Sequence, residues 1–152
     1  MGNDFLPERV YVLTVDLNAI QQNWLTLSAS SLASVAGVIK ADAYGLGARQ
    51  VGCALYAVGC RTFFLASVEE AVTARDFLPA DATIYVLGGL RNVDISELFA
   101  RNLIPMLCSA YDVEQWLKFK SSAQVNAVAG LKINTGMTRF GLDERDFSLL
   151  CT

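Results

Sequence analysis

The sequence predicts an α/β protein built on a parallel sheet, with strands and helices alternating along the chain. Two observations support this prediction. Short runs such as 35–39 and 84–87 are apolar throughout, which is typical of strands buried on both faces. Segments with apolar residues three and four positions apart follow these runs, which is the spacing of an amphipathic helix. Counted from the run at 35–39, about five β/α units are predicted.

Capping residues and turn residues set the boundaries of these elements. Asp16 is placed to cap a helix with Ile20, Trp24 and Leu27 on one face. Ser67 and Glu70 have the spacing of a capping box. The predicted order is a strand at 10–15, a helix from 16, a loop at 28–34, a strand at 35–39, a helix at 48–58, a strand at 63–66, a helix at 68–78, a strand at 84–87, a helix at 94–100, a strand at 103–107, a helix from 109, a strand at 125–133 and a helix at 142–150.

Composition excludes several classes of protein. The net charge is -3 with no basic cluster, which argues against nucleic acid as a partner. No apolar run reaches the roughly 18 residues that a membrane helix needs, and residues 1–9 lack the order of a signal peptide. We therefore expect a soluble, cytoplasmic protein with no membrane partner.

The four cysteines and the absence of histidine limit the chemistry further. Cys53, Cys60, Cys108 and Cys151 have no CxxC spacing, so we expect them to be reduced and to pack as small apolar groups. Without histidine, this chain has no Ser-His-Asp triad, Cys-His pair or HExxH zinc site. No metal site is predicted.

Lys40 is the strongest candidate for chemistry, because it directly follows the apolar run 35–39. A poorly solvated amine at a strand end can attack a carbonyl group, although a lysine there can also extend its amine into solvent. Gly45 and Gly47 follow, and they permit positive φ or close approach of the backbone to a ligand. With Gln50 and Glu69, these glycines also weakly match a dinucleotide-binding fingerprint, although Gln50 stands where a third glycine is expected.

Two longer strings favour the first reading of Lys40. Residues 40–47 read Lys-Ala-Asp-Ala-Tyr-Gly-Leu-Gly, which resembles the cofactor-lysine motif of alanine racemases, enzymes that use pyridoxal 5'-phosphate (PLP). Residues 131–141 read Leu-Lys-Ile-Asn-Thr-Gly-Met-Thr-Arg-Phe-Gly and resemble that family's Leu-Lys-x-Asp-Thr-Gly-Met-x-Arg-x-Gly segment. The strings occur in the family's order, and the resemblance covers about residues 11–147.

The resemblance implies a TIM-type barrel, whereas the residues alone also allow an open doubly wound sheet. Residues 1–152 would be a single, truncated N-terminal PLP-binding β/α barrel domain with about five of eight β/α units, and the family's C-terminal β domain would be absent. Such an incomplete barrel has two open edges and exposes its inner and outer apolar faces. We therefore expect the isolated chain to aggregate or to need a partner fragment.

The resemblance also implies roles for individual residues. Lys40 would bind PLP covalently and move the substrate α-proton on one face, and the hydroxyl of Tyr44 would contact the cofactor phosphate. Arg139 would lie near the substrate carboxylate and the cofactor's ring hydroxyl, with Met137 beside the substrate. Lys132 would be a candidate for carbamylation.

Two positions in these strings depart from the family, and a third has a local role. Asn134 replaces the family's usual Asp, and Leu46 replaces its usual histidine. Asp42 is expected to cap the loop locally rather than to take part in catalysis.

The implied activity is PLP-dependent interconversion of L-alanine and D-alanine, which supplies D-alanine for the cell wall. The family works as a homodimer, and a tyrosine from the second domain of the opposite subunit is its other acid/base. That tyrosine is not in this sequence, so the chain alone is expected to be inactive. The alternatives are a non-catalytic PLP-binding or truncated product and, less favoured, a dinucleotide-binding α/β domain.

Overall fold

The structure is a computed structural model that describes residues 12–150. The helices are α1 Leu17–Ser30, α2 Lys40–Gly45, α3 Ala48–Ala57, α4 Val68–Arg75, α5 Ile95–Ala100, α6 Ala110–Ala123 and α7 Glu144–Leu150. The strands are β1 Gly37–Val38, β2 Thr62–Leu65, β3 Thr83–Val86, β4 Leu103–Leu107 and β5 Gly130–Leu131. Each strand is followed by one or more helices, as the sequence predicts.

All five strands are parallel and form one sheet in the order β1-β2-β3-β4-β5. In a doubly wound sheet the order of strands reverses at a switch point, and the described strands have no such reversal. A sequential order is that of a sheet that curves towards a β/α barrel. This order confirms the α/β class and is consistent with an incomplete TIM-type barrel.

The two faces of the sheet have different surroundings. On β2, β3 and β4 alternate residues are buried in one core with residues of the helices, for example Phe63 and Ile84 with Leu55 of α3. The helices therefore cover the outer face, and the expectation that this face is exposed is wrong. The other face is only partly covered, and there Phe64 stacks on Tyr85 with ring centres 4.9 Å apart.

The predicted helix starts are confirmed by side-chain hydrogen bonds. Asp16 accepts the Ala19 N–H at 3.0 Å. Ser67 and Ser109 accept the N–H groups three residues later, at 3.3 Å and 3.2 Å. Each bond satisfies one of the free N–H groups at a helix start. Within residues 12–150, the helices are all too short or too polar to cross a bilayer.

Several predicted boundaries are wrong, mostly because a segment forms a strand only where a neighbouring strand pairs with it. Residues 10 and 11 of the predicted first strand lie outside the described residues, and residues 12–15 form no strand. Residues 125–129 are irregular, so the last strand is reduced to β5. The run 35–39 is a strand only at β1, although the Ile39 N–H still donates to the Phe64 carbonyl at 3.1 Å. Helix α1 continues into the predicted loop, and α4 ends three residues early.

Candidate functional site

The two strings singled out in the sequence lie at the same rim of the sheet, where the strands end. Lys40 follows β1 and residues 132–141 follow β5, so three strands separate them. With neighbouring strands about 4.8 Å apart, this separation is roughly 19 Å along the sheet. Both side chains are cations that carry only hydrogen-bond donors, so a direct bond between Lys40 and Arg139 is not expected. The structure thus places both strings on one rim without bringing them into contact.

Lys40 begins a left-handed helical turn rather than ending a strand. The four residues after it, Ala41 to Tyr44, have φ between 49° and 57° and ψ between 36° and 49°. This backbone costs a non-glycine residue about 1–2 kcal/mol, or roughly 4–8 kcal/mol for the turn. Strain of this kind persists only where the surrounding structure enforces it, and it clusters at functional sites.

The turn places the amine of Lys40 near the ring of Tyr44. The lysine Nζ lies 5.9 Å from the centre of the tyrosine ring, because residues four apart share one face of a helical turn. Lys40 is half-buried, whereas Tyr44 is 65% exposed. No carboxylate of residues 12–150 pairs with this amine. The amine and the phenol therefore point to a shared region at the end of β1.

Hydrogen bonds within the chain hold this turn. The Ala43 N–H donates to the Ile39 carbonyl at 3.0 Å, and Ala43 is 3% exposed. The Asp42 side chain accepts the Ala48 N–H at 2.7 Å, and the Asp42 carbonyl accepts the Gly47 N–H at 2.9 Å. The expectation that Asp42 caps the loop is confirmed. Gly47 has φ 94°, which requires a residue without a Cβ, so this glycine is used for the exit from the turn.

Glu70 is a residue of this site that the sequence reasoning missed. A capping box would direct its carboxylate to the backbone of Ser67. Instead, one oxygen accepts the Ala41 N–H and the other accepts the Ala66 N–H, both at 2.8 Å. Glu70 thereby joins the turn after β1 to the end of β2. The Ser67-to-Glu70 spacing was visible in the sequence, but the partner 29 residues away was not.

Asp112 makes the same kind of link between β3 and β4. It is 3% exposed, and its two oxygens accept the N–H groups of Leu90 and Cys108 at 3.0 Å and 2.8 Å. Its own N–H donates to Ser109, the cap of α6. The same arrangement therefore occurs at two places on this rim: an acid three residues after a capping serine joins two neighbouring loops.

The string after β5 folds around Asn134. Its side-chain oxygen accepts the N–H groups of Gly136 and Thr138 at 3.1 Å and 2.9 Å. An amide oxygen can accept both bonds, so this turn forms without the charge of the family's usual Asp.

The three candidate residues of this string have different surroundings. Lys132 is half-buried, with its Nζ 5.3 Å from the centre of the Phe140 ring. Arg139 is exposed and forms no ion pair within residues 12–150. Met137 is 78% exposed. Within the described part of the chain, no carboxylate pairs with the guanidinium of Arg139, so this group can bind a ligand.

An open cavity of about 640 Å³ lies beside Arg139, and Arg91, Cys108 and Asp112 also line it. Lys40 does not line this cavity.

Burial raises the pKa of the Cys108 thiol, against an opposing effect of the positive charge of Lys132, so this thiol stays protonated at neutral pH. No cluster of three or more potential metal ligands occurs in the described ranges.

Comparisons with known proteins agree with this fold. The family described as "Alanine racemase, N-terminal domain" matches residues 15–152. An alanine racemase of Rhodospirillum rubrum is 45% identical over 141 residues, and the match covers 91% of this chain and 38% of that protein. The chain thus spans a little over a third of the length of such relatives.

Two solved structures have the same fold. Alanine racemase from Bartonella henselae, solved with covalently bound pyridoxal phosphate, has a TM-score of 0.85 and 34% identity, covering 90% of this chain and 38% of that one. Alanine racemase from Streptomyces coelicolor has a TM-score of 0.81 and 28% identity, covering 90% and 37%. With its fold, its two strings and its match over residues 15–152, this chain belongs to the alanine racemase family, in the part described as the N-terminal domain.

Proposed function

We propose that this chain carries the PLP-binding part of an active site that interconverts L-alanine and D-alanine. The observation that supports this most directly is the left-handed turn that holds the amine of Lys40 beside the ring of Tyr44. The similar protein from Bartonella henselae contains covalently bound pyridoxal phosphate. The alternative of a dinucleotide fold is disfavoured. The glycines of a dinucleotide-binding motif directly follow a strand, whereas Gly45 and Gly47 lie at the end of the left-handed turn that begins at Lys40.

The residues present fit PLP chemically. The cofactor needs a nucleophilic amine for its aldehyde and hydrogen-bond donors for its phosphate. Lys40 is a half-buried residue whose amine has no carboxylate partner in the described part of the chain, and Tyr44, whose ring centre lies 5.9 Å from that amine, is exposed and carries a hydroxyl group. The enforced backbone of the turn limits the positions available to both groups, which is the rigidity that a covalent site needs.

Bound PLP would supply the electron sink that makes the substrate's α-hydrogen acidic. In this scheme, Lys40 would hold the cofactor through Nζ until the amine of the substrate displaces it, and the released Nζ would then accept the α-proton on one face of the substrate, or return it there. The hydroxyl of Tyr44 donates a hydrogen bond to the phosphate. Arg139, a planar donor fork, orients the substrate carboxylate or the cofactor's ring hydroxyl from the far side of the rim.

Further features of the proposal come from the family. Met137 would line the substrate site, and a carbamate on Lys132 would provide an anion that orients Arg139. A homodimer would complete the site with a second acid/base residue from outside this chain. The D-alanine formed would serve cell-wall synthesis, and the protein would act in the cytoplasm.

Selective attachment of PLP to Lys40 tests this proposal. The chain would be incubated with PLP and reduced with borohydride, and the labelled lysine would be identified by peptide mass. We expect the label on Lys40, with its loss in Lys40→Arg and no change in Lys118→Arg, an exposed lysine of α6. Equal labelling of all four lysines would contradict the proposal.

Racemase activity would be measured on the chain and on an extended version, in which the part of a relative that this chain does not cover is fused after it. We expect activity only in the extended form, with its loss in Lys40→Arg. Activity in the short chain would show that residues beyond it are dispensable, against the proposed second acid/base. An inactive extended form that still binds PLP at Lys40 would favour the non-catalytic PLP-binding alternative.

A further inference from the structure

We propose that Glu70 is a positioning residue for Lys40, and that it acts by holding the peptide group between Lys40 and Ala41. This inference rests on the proposed function of Lys40. Glu70 accepts the Ala41 N–H with one carboxylate oxygen at 2.8 Å. Among the described residues it makes no hydrogen bond to the lysine amine, so its effect passes through the backbone.

The bonded peptide group is one of the two that flank the Cα of Lys40. On the other side, the Ile39 carbonyl accepts the Ala43 N–H at 3.0 Å, within the turn itself. The bond to Glu70 instead ties the turn to α4. With both neighbouring peptide planes held, the backbone angles of Lys40 are fixed, and the direction in which its side chain leaves the backbone is fixed with them.

The carboxylate is itself well anchored. Its second oxygen accepts the Ala66 N–H at 2.8 Å, and the Glu70 N–H donates to Ser67 at 3.3 Å. Ala66 directly follows β2, and its carbonyl lies close to Gly88, where an added Cβ would come within 2.7 Å. The acceptor for Ala41 is therefore carried by the packed ends of β2 and β3.

A capping role alone does not account for this arrangement. The start of α4 is already capped by Ser67, and Glu70 uses neither oxygen on the Ser67 N–H. Both oxygens accept hydrogen bonds from groups outside the helix. Glu69, one residue earlier, is exposed and makes no such link, so it is a matched control with the same charge.

The test uses the full chain without cofactor first. Hydrogen exchange of residues 41–47 would be compared in wild type, Glu70→Ala, Glu70→Gln and Glu69→Gln. Loss of a bond to a charged acceptor should speed exchange there by at least about ten-fold in Glu70→Ala. Glu70→Gln keeps only one acceptor and should show an intermediate effect. Exchange in β2 to β4 should stay unchanged in all variants, since a general loss of structure would raise it as well.

The second readout is the rate of PLP attachment to Lys40, trapped with borohydride. We expect about ten-fold slower attachment in Glu70→Ala, a smaller effect in Glu70→Gln and none in Glu69→Gln. Unchanged exchange at 41–47 in Glu70→Ala would overturn the inference, as would an unchanged attachment rate at Lys40. Faster exchange at 41–47 with no preference of PLP for Lys40 in wild type would support the backbone link and overturn the proposed function instead. If Glu70→Ala fails to fold, Glu70→Gln decides by the same criteria.

Discussion

Removing the carboxylate of Asp112 is expected to destabilise the chain strongly. This side chain is 3% exposed and accepts the N–H groups of Leu90 and Cys108. A hydrogen bond to a charged group contributes about 1.5–3 kcal/mol, and a buried donor left without a partner costs a similar amount. We therefore expect Asp112→Ala to lower the free energy of unfolding by about 3–6 kcal/mol. Asp112→Asn keeps one oxygen acceptor and should lose about half as much.

Urea unfolding at low micromolar protein concentration, followed by circular dichroism, measures this change. The midpoint should fall with little change in slope, because the surface exposed on unfolding stays the same. Glu114→Ala is the control: it removes an acid of the same helix, but one whose side chain is 60% exposed and, among residues 12–150, pairs only with Lys118. We expect it to change stability by less than about 1 kcal/mol. A loss below about 1 kcal/mol in Asp112→Ala would refute the role of the two buried bonds.

Two further predictions concern the thiols and the second string. Of the described cysteines, exposed Cys53 should react with a thiol reagent at neutral pH, while buried Cys60 and Cys108 should react only after unfolding. Burial raises the pKa of both buried thiols. The contribution of these neutral thiols to the free energy of unfolding is thus complete below the ordinary thiol pKa of 9.0, and it is lost as the pH rises through their raised pKa in the folded chain. A fall in the urea midpoint above pH 9.0 would detect this loss. Asn134→Ala should speed hydrogen exchange across 134–138 by about ten-fold, and Asn134→Asp should leave it unchanged.

The order of elements could be predicted because it depends on local patterns. Apolar runs and helical spacing are properties of neighbouring residues, and parallel strands joined by helices allow few topologies. The serine and aspartate caps were found for the same reason. The sequential strand order required the structure, since the residues alone allowed both an open sheet and a barrel.

The geometry around Lys40 could not be predicted from local patterns. Alanine and tyrosine rarely adopt left-handed backbone, so nothing in their propensities indicates four such residues in a row. The turn depends on bonds to residues far away in sequence, above all the one from Ala41 to Glu70. The strand predicted at 10–15 failed for a related reason in its described part, because an alternating pattern makes a strand only where a neighbour pairs with it.

Association of the chain with itself is the last prediction, and it follows from the outer strands. Val38 on β1 is 44% exposed and Leu131 on β5 is 40% exposed. Both belong to strands that pair on one side only among the described residues. An exposed apolar edge is a template for pairing with another chain, and a lysine placed on such an edge opposes it. We therefore expect the molar mass from light scattering to rise with the concentration of the chain.

Leu131→Lys should reduce this rise, whereas Val12→Lys, a change at a residue that is 88% exposed and outside the sheet, should not. If Val12→Lys reduced association as much, net charge rather than the strand edge would be responsible. A sharp, cooperative melt of a monomer at every concentration would contradict the prediction altogether. That result would mean that five strands covered by helices on one face are sufficient for a stable fold, and that the half-covered face with Phe64 and Tyr85 tolerates water.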